Sequence, residues 1–517
     1  MDHKKTVCAL GVALWASGAG AASFGTFADA MMEGVNGAAT TAVIFTVGET
    51  FSNGYTPPGL LDGIGAYALD DNTVRVMVNH ELRSGAGAAY ALANGTRLKG
   101  ARVSYFDIDS HTRRVVDAGL AYGAAYDRSY RPVSSATMLS GFNRFCSGQL
   151  VKAGDYGFVD NLYFTGEEGT AGTEYVIDTR HRVMHAAPAL GRASWENVTP
   201  LQTGNPDKVA LLIGDDRAGQ AALLYVGEKD ATGDHSFLDR NGLKVGRLYA
   251  WVSDTGETAP SQFNSSGSLN GSWVAIDNRR DGINDGVPGD YDADGWATQD
   301  FLDAQKLRVG AFRFSRPEDV ATDPNDGTRA VMASTGHDGI DAGADSWGTL
   351  YRLEVDFGSD GNPRRARVQI LYDGDAAGDG LFAGPDFGPR SPDNTDWADD
   401  GSILVQEDRS VRAFGLASGE ETSIWRFGSD AAGAAPLRVA RVDRSAVPAD
   451  QAGPAPSGIG EWESSGILDV SVLFGAARGT LFLFDVQAHS LRGGPIVRSG
   501  LVEGGQLLFL AIGNPVP

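Results

Sequence analysis

Short apolar runs recur along the chain, and each is cut off by Gly, Asp, Asn or Pro. Among them are "NTVRVMVNHE", "ARVSYFDID", "NLYFTGEE", "TEYVIDT", "KVALLIGDD", "ALLYVGEK" and "GRLYAWVSD". Further on come "GAFRFS", "RAVMAST", "GTLYRLEVDF", "RVQILYD", "GSILVQED", "SVRAFGLASG", "TSIWRFG", "GTLFLFDVQ" and "GQLLFLAI". Rich in Val, Leu, Phe and Tyr, they predict β-strands. Only "ALANG" (91–95) and "ATQDFLDAQKL" (297–307) read as helical. Strand, turn and strand in succession predict antiparallel hairpins rather than βαβ units. Several blocks end in a carboxylate or amide: "VNHE", "FTGEE", "IGDD", "RPEDVA" and "VQED". The expected fold class is all-β, a single β-propeller of about six blades with long inter-strand loops. Such a fold gathers polar strand ends around one channel. Two packed β-sandwich domains would use the same strands.

Composition sharpens this picture in two ways. Glycine supplies 69 of 517 residues, which suits many turns and short strands. The formal charge of −23 argues against nucleic acid or an anionic membrane as a partner, since both need a cationic face. So many carboxylates serve either a solubilising surface or several hard cations, because Ca²⁺ takes six to eight oxygen ligands.

Residues 1–22 read as a secretory signal: His3, Lys4 and Lys5 precede an apolar run that ends in small residues near Ala19–Ala22. Residues 23–517 are then the mature chain, expected in the periplasm or secreted as a monomer. Cys8 leaves with the signal, so Cys146 stays as a lone thiol where oxidised thiols are normal. It is either a buried small hydrophobe, a liability, or a ligand or nucleophile.

Six constellations carry candidate chemistry. Asn79-His80-Glu81 closes a strand. Cys146 is followed by Glu167-Glu168, a thiol near carboxylates that suits a softer metal beside a hard one. "GRASWENV" supplies Arg192 and Glu196, and "IGDDR" supplies Asp215, Asp216 and Arg217. In "FRFSRPEDVA", Arg316 lies two residues before Glu318, read as the end of a strand; a guanidinium there can hold an anion while the carboxylate holds a cation. Asp393, Glu407 and Asp408 follow in "PDN…VQED", then Glu463, Asp469, Asp485 and His489. His337 and His489 read as hydrogen-bonded structural histidines. Each constellation alone is equally a salt bridge or a solvated turn. Separately, Asp290, Asp292 and Asp294 alternate before Gly295, as at the start of a calcium loop, but no Glu follows at the EF-hand position. They predict a peripheral Ca²⁺.

Taken in order, these segments resemble the PhoX family of bacterial alkaline phosphatases. The matches are "NHE", the cysteine with its Glu pair, "GR…WEN", "GDDR", "RPED" and "PDN…VQED". The resemblance implies a six-bladed propeller whose channel holds Fe³⁺ and Ca²⁺. It further implies that Cys146 is the iron-bridging thiolate, and that Glu81, Glu196 and Glu318 bind the cluster with Glu168, Asp216, Asp393 and Glu407. Arg316 would contact phosphate. The chain departs from the family where a Gly pair and a Thr-Pro-Trp stretch usually follow the cysteine, and where Trp195 replaces a His. The twin-arginine export signal common in the family is also missing.

The expected activity is therefore hydrolysis of a small-molecule phosphoester by a metal-dependent phosphatase. No Gly-x-Ser-x-Gly elbow points to serine chemistry. The rivals are a calcium-only propeller hydrolase acting on phytate or a lactone, and a non-catalytic calcium-binding propeller.

Overall fold

A computed structural model describes residues 28–513, apart from 36, 136–137, 139, 264–266, 284–285, 429–434 and 452–457. The predicted signal at 1–22 lies outside the described residues. Sheet dominates, and no described helix is long and apolar enough to cross a membrane.

The sheets are mainly antiparallel meanders, one of them adding Ala124–Tyr126 in parallel to Val183–Ala186, and the first strand of each lies nearest the centre. These first strands are β1 (Leu61–Asp70), β2 (Phe145–Val151), β3 (Trp195–Leu201), β4 (Pro317–Thr322), β5 (Pro392–Trp397) and β6 (Glu463–Asp469). Each packs against the next, and β6 returns to β1, so they close a ring in a propeller-like arrangement. The sheets begun by β3 and β4 are continuous, because Ser268–Ile276 pairs with Pro363–Asp373. The start of the chain closes the ring: Ala39–Thr46 pairs with the C-terminal strand Gly504–Ile512, in the sheet that β6 begins.

The second strand of each sheet shows why these runs are apolar on both faces. Alternate side chains of a strand point to opposite faces. In Lys208–Asp215, Val209, Leu211 and Ile213 enter the core shared with the β2 sheet, while Ala210 and Leu212 enter the one shared with the β4 sheet. In Leu481–Ala488, Leu481 and Leu483 face the β1 sheet, and Phe482 and Phe484 face the β5 sheet. Radially stacked sheets are therefore buried on both sides.

Some local expectations fail. "ALANG" is a turn after a two-residue strand. "GAFRFS" and "SVRAFGLASG" form loops, with Phe312, Phe314 and Phe414 buried as core plugs. Their apolar content serves burial, not strand pairing. The second expected helix does form, as α1 (Gln299–Arg308), where the Thr298 side chain accepts from the Phe301 amide and Lys306 and Arg308 stand at the negative end.

Candidate metal centre

The site arises from one local irregularity that recurs around the ring. In β1 to β5 the register shifts directly after the first residue: after Leu61, Phe145, Trp195, Pro317 and Pro392. In β6 the shift follows Ser465. Such bulges re-aim side chains. Pro317 and Pro392 fit because the first residue of a strand tolerates a missing N–H. Glu318 thus begins a strand, where the sequence suggested that it ended one.

The residue after each first position is a ligand type: Asp62, Cys146, Glu196, Glu318 and Asp393 in order. Asp62, Glu81 and Cys146 bring one ligand atom each within 4.8 Å of one another, and so do Glu196, Glu318 and Asp393. The next residue ties neighbouring strands together. Asp319 accepts from the Asn197 side chain, from the Val320 amide at 2.7 Å and from the Thr395 amide at 2.9 Å. Gly63 is needed there, since a Cβ would lie 2.1 Å from the Gly148 nitrogen across the strand boundary.

A second ring comes from the residue that follows each partner strand. The amides of Glu81, Glu168, Asp216, Thr335 and Asp408 donate to the carbonyls of Leu60, Arg144, Ser194, Arg316 and Ser391 at 2.8–3.1 Å. Gln487, paired with Glu463, completes the set, and its Nε2 donates to Asp62 and Glu81 at 3.1 Å each.

Electrostatics at the centre are those of acids crowded away from water. Burial raises Asp62, Glu196, Glu318 and Asp393 well above the usual carboxylate range, and their neighbours Glu81, Glu463 and Asp408 add to this for Asp62 and Asp393. The Cys146 thiol is raised by burial and then by Asp62 and Glu196; it donates to Asp62 at 3.4 Å. Asp216 is the exception. Burial pushes it up, but Arg316 outweighs burial and holds it at about 2. Arg316 grips Asp216 through Nε and Nη2 at 2.7 and 3.0 Å, and its Nη2 lies 2.6 Å from Glu318.

The donor set fits cations. Asp62 Oδ1 and Glu196 Oε1 are buried without a hydrogen-bond partner, a costly state that a bound cation relieves. The group containing sulfur suits a borderline metal such as iron, and the all-carboxylate group suits a hard one such as calcium.

Of the residues singled out from sequence, Cys146, Glu81, Glu196, Glu318 and Asp393 converge here, with Glu168, Asp216 and Arg316 beside them. Glu407 does not. Its carboxylate accepts from the Arg390 amide at 3.1 Å and the Trp425 indole at 3.0 Å inside the β5 sheet. Asp408, on the other face of the chain, takes the ring position. Asp290, Asp292 and Asp294 do not form a three-ligand group among the described residues. Asp290 accepts from Val287, Asp292 from Asp294 and Trp296, and Asp294 from Ser129. Arg217 serves Asp215 and Asp303, and buried His80 bonds Ser104 at 2.6 Å with its pKa lowered to about 3 by burial and Arg102. His489 bonds Glu503 at 2.6 Å. Sequence reading missed Asp62, Arg144 and Gln487. The signal for Asp62 is its alignment in "LDGI" with "FCSG", "WENV", "PEDV" and "PDNT".

A family model described as alkaline phosphatase PhoX matches residues 165–460. No curated protein matches. Among solved structures, Pseudomonas fluorescens PhoX in complex with vanadate, a transition state analogue, aligns with a TM-score of 0.64 at 15% identity, covering 95% of this chain and 97% of that one. That likeness supports the propeller-like fold. The GH93 α-L-arabinofuranosidase of Fusarium graminearum aligns at a TM-score of 0.37 and 13% identity over 91% and 98% of the two chains, too distant to bear on the site.

Proposed function

The chain belongs to the PhoX family of alkaline phosphatases and is a phosphoric ester hydrolase, and we propose that it cleaves small-molecule phosphate monoesters beside the two acidic groups of the channel. The observation that carries this reading is the placing of a thiol and four carboxylates on consecutive first strands, with Arg316 held against them. We read the ring β1 to β6 as six blades, and residues 23–517 as one catalytic domain. Export by the signal at 1–22 would put a monomeric enzyme in the periplasm or outside the cell.

Asp62, Glu81 and Cys146 would hold Fe³⁺, and Glu196, Glu318 and Asp393 would hold Ca²⁺. When bound, the cations supply positive charge to the phosphoryl oxygens and favour attack by an oxygen nucleophile. The other work falls to the chain. Cys146 keeps its proton at Sγ in the metal-free protein and must release it to serve as a ligand. Arg316 is fixed along its Nε–Nη2 edge by Asp216, so it presents the rest of its planar fork to a phosphoryl group without reorganising. Asp216 stays ionised and keeps that guanidinium charged and oriented.

The test pairs elemental analysis of the exported protein with a chromogenic phosphomonoester assay, with and without chelator. Iron and calcium in the protein, and turnover that chelator abolishes, are expected. Calcium without iron would favour the calcium-only hydrolase, and full turnover in iron-free, chelated protein would sink the reading.

A further inference from the structure

The position before the first residue of β1 to β5 is filled by Leu60, Arg144, Ser194, Arg316 and Ser391. Leu60, Arg144 and Ser391 there share a left-handed φ of 51°, 40° and 46°, which Ser194 and Arg316 do not. Leu and Ser satisfy the fold at this position in sister strands, so folding alone does not call for a guanidinium. Arg144 nevertheless reproduces the arrangement of Arg316. Arg316 reaches the ring residue of the preceding sheet, Asp216, and Arg144 reaches the ring residue of its own preceding sheet, Glu81, through Nε at 2.5 Å. Arg144 Nη2 also pairs with Glu168. Glu168, raised first by burial, in turn lies near enough to Asp216 for that carboxylate's charge to raise it further, so Arg144, Glu168, Asp216 and Arg316 sit in one cluster of side chains. Both arginines spend the Nε–Nη2 edge on carboxylates, and neither Nη1 donates a hydrogen bond among the described residues. Arg144 is the more open of the two, with 33% of its side chain exposed against 22%.

We propose that Arg144 is a second phosphate-binding residue, which holds the phosphoryl dianion together with Arg316. This rests on the phosphatase reading above. A dianion presents several equivalent oxygens, and two fixed planar forks satisfy more of them than one can. The rival role is to hold Glu81 and Glu168 as a structural counter-ion.

The experiment compares wild type, Arg144→Gln and Arg144→Lys, each loaded with metal and assayed for metal content. Inorganic phosphate binding is measured by calorimetry, and kcat and KM with a chromogenic phosphomonoester. For Arg144→Gln, phosphate affinity should fall about tenfold to a hundredfold, the loss of one charged hydrogen-bond partner, with KM rising in step and metal content unchanged. Arg144→Lys should recover part of the affinity, as a point charge without the fork. Unchanged phosphate affinity in Arg144→Gln overturns the proposal. So does a metal-depleted Arg144→Gln alongside an Arg144→Lys that keeps both metal and full phosphate affinity, which assigns the structural role. Wild type that neither binds phosphate nor cleaves the ester removes the phosphatase reading and this proposal together, an outcome distinct from the other two.

Discussion

Asn79 donates from Nδ2 to the backbone carbonyl of Cys146 at 2.7 Å and to that of Ser147 at 2.9 Å. The amide, fully buried, accepts in turn from the Tyr163 hydroxyl at 3.0 Å. It replaces the ladder bonds that the bulge after Phe145 removes, and so fixes the backbone that aims the thiol. Asn79→Ala should destabilise the protein by about 1–3 kcal/mol, because the carbonyls of Cys146 and Ser147 lose their donor. Denaturant unfolding measures this, and an unchanged midpoint would contradict the role.

Cys146→Ala removes the one sulfur donor of the site. Iron content should fall to background while circular dichroism and calcium content stay near wild type, and turnover should drop by two orders of magnitude or more, on the scale of losing a charge-stabilising group. Retained iron would show the thiol to be a bystander.

Arg316→Lys keeps the charge and loses the fork. Because Asp216 and Glu318 hold the guanidinium along defined edges, lysine cannot match the geometry. The expected result is a tenfold or greater loss in kcat/KM, roughly the worth of one charged hydrogen bond. A variant with wild-type kinetics would exclude contact with the phosphoryl group.

Metal-free protein should lose stability as pH rises. Burial raises Glu167 to about 7, and burial with Glu463 raises Asp408 to about 7, both above ordinary carboxylate values. A folded pKa above the unfolded one means that the folded state binds protons more tightly. The stabilisation is therefore complete below the unfolded pKa, near pH 4, and is lost as pH rises to about 7. Denaturant midpoints of chelated protein should fall across that window, while metal-loaded protein is expected to fall less. A flat or rising profile for the chelated protein would refute the account.

Glu196→Gln tests the all-carboxylate group. It retains shape and hydrogen-bonding capacity but removes one negative charge from three. Calcium affinity should weaken by at least tenfold, and thermal stability in the presence of chelator should rise above that of wild type, since the buried acid no longer has to take up a proton on folding. Calcium titration followed by thermal melts reads both.

The strands that sequence reading found were the outer ones. "KVALLIGDD" and "GTLFLFDVQ" advertise themselves because both faces are buried between stacked sheets. The first strands went largely unseen as strands. "FCSGQLV", "WENVTPL" and "PDNTDW" turn polar groups toward the axis and break the alternation at a bulge, so a period-two reading fails where the site is built. The same bulge explains Glu407. Whether it or Asp408 takes the ring position depends on a one-residue phase that only pairing with Pro392 defines.

By itself, the sequence determined the all-β class, the family and the ligand types, because residue chemistry and short motifs survive without coordinates. Tertiary structure decided which carboxylates meet. Glu81, Asp62 and Cys146 come from two sheets, and Glu196, Glu318 and Asp393 from three first strands far apart in the chain. Their convergence depends on ring closure and on repeated bulges, both products of strand register. It was register, too, that set Arg144 beside the site as the counterpart of Arg316.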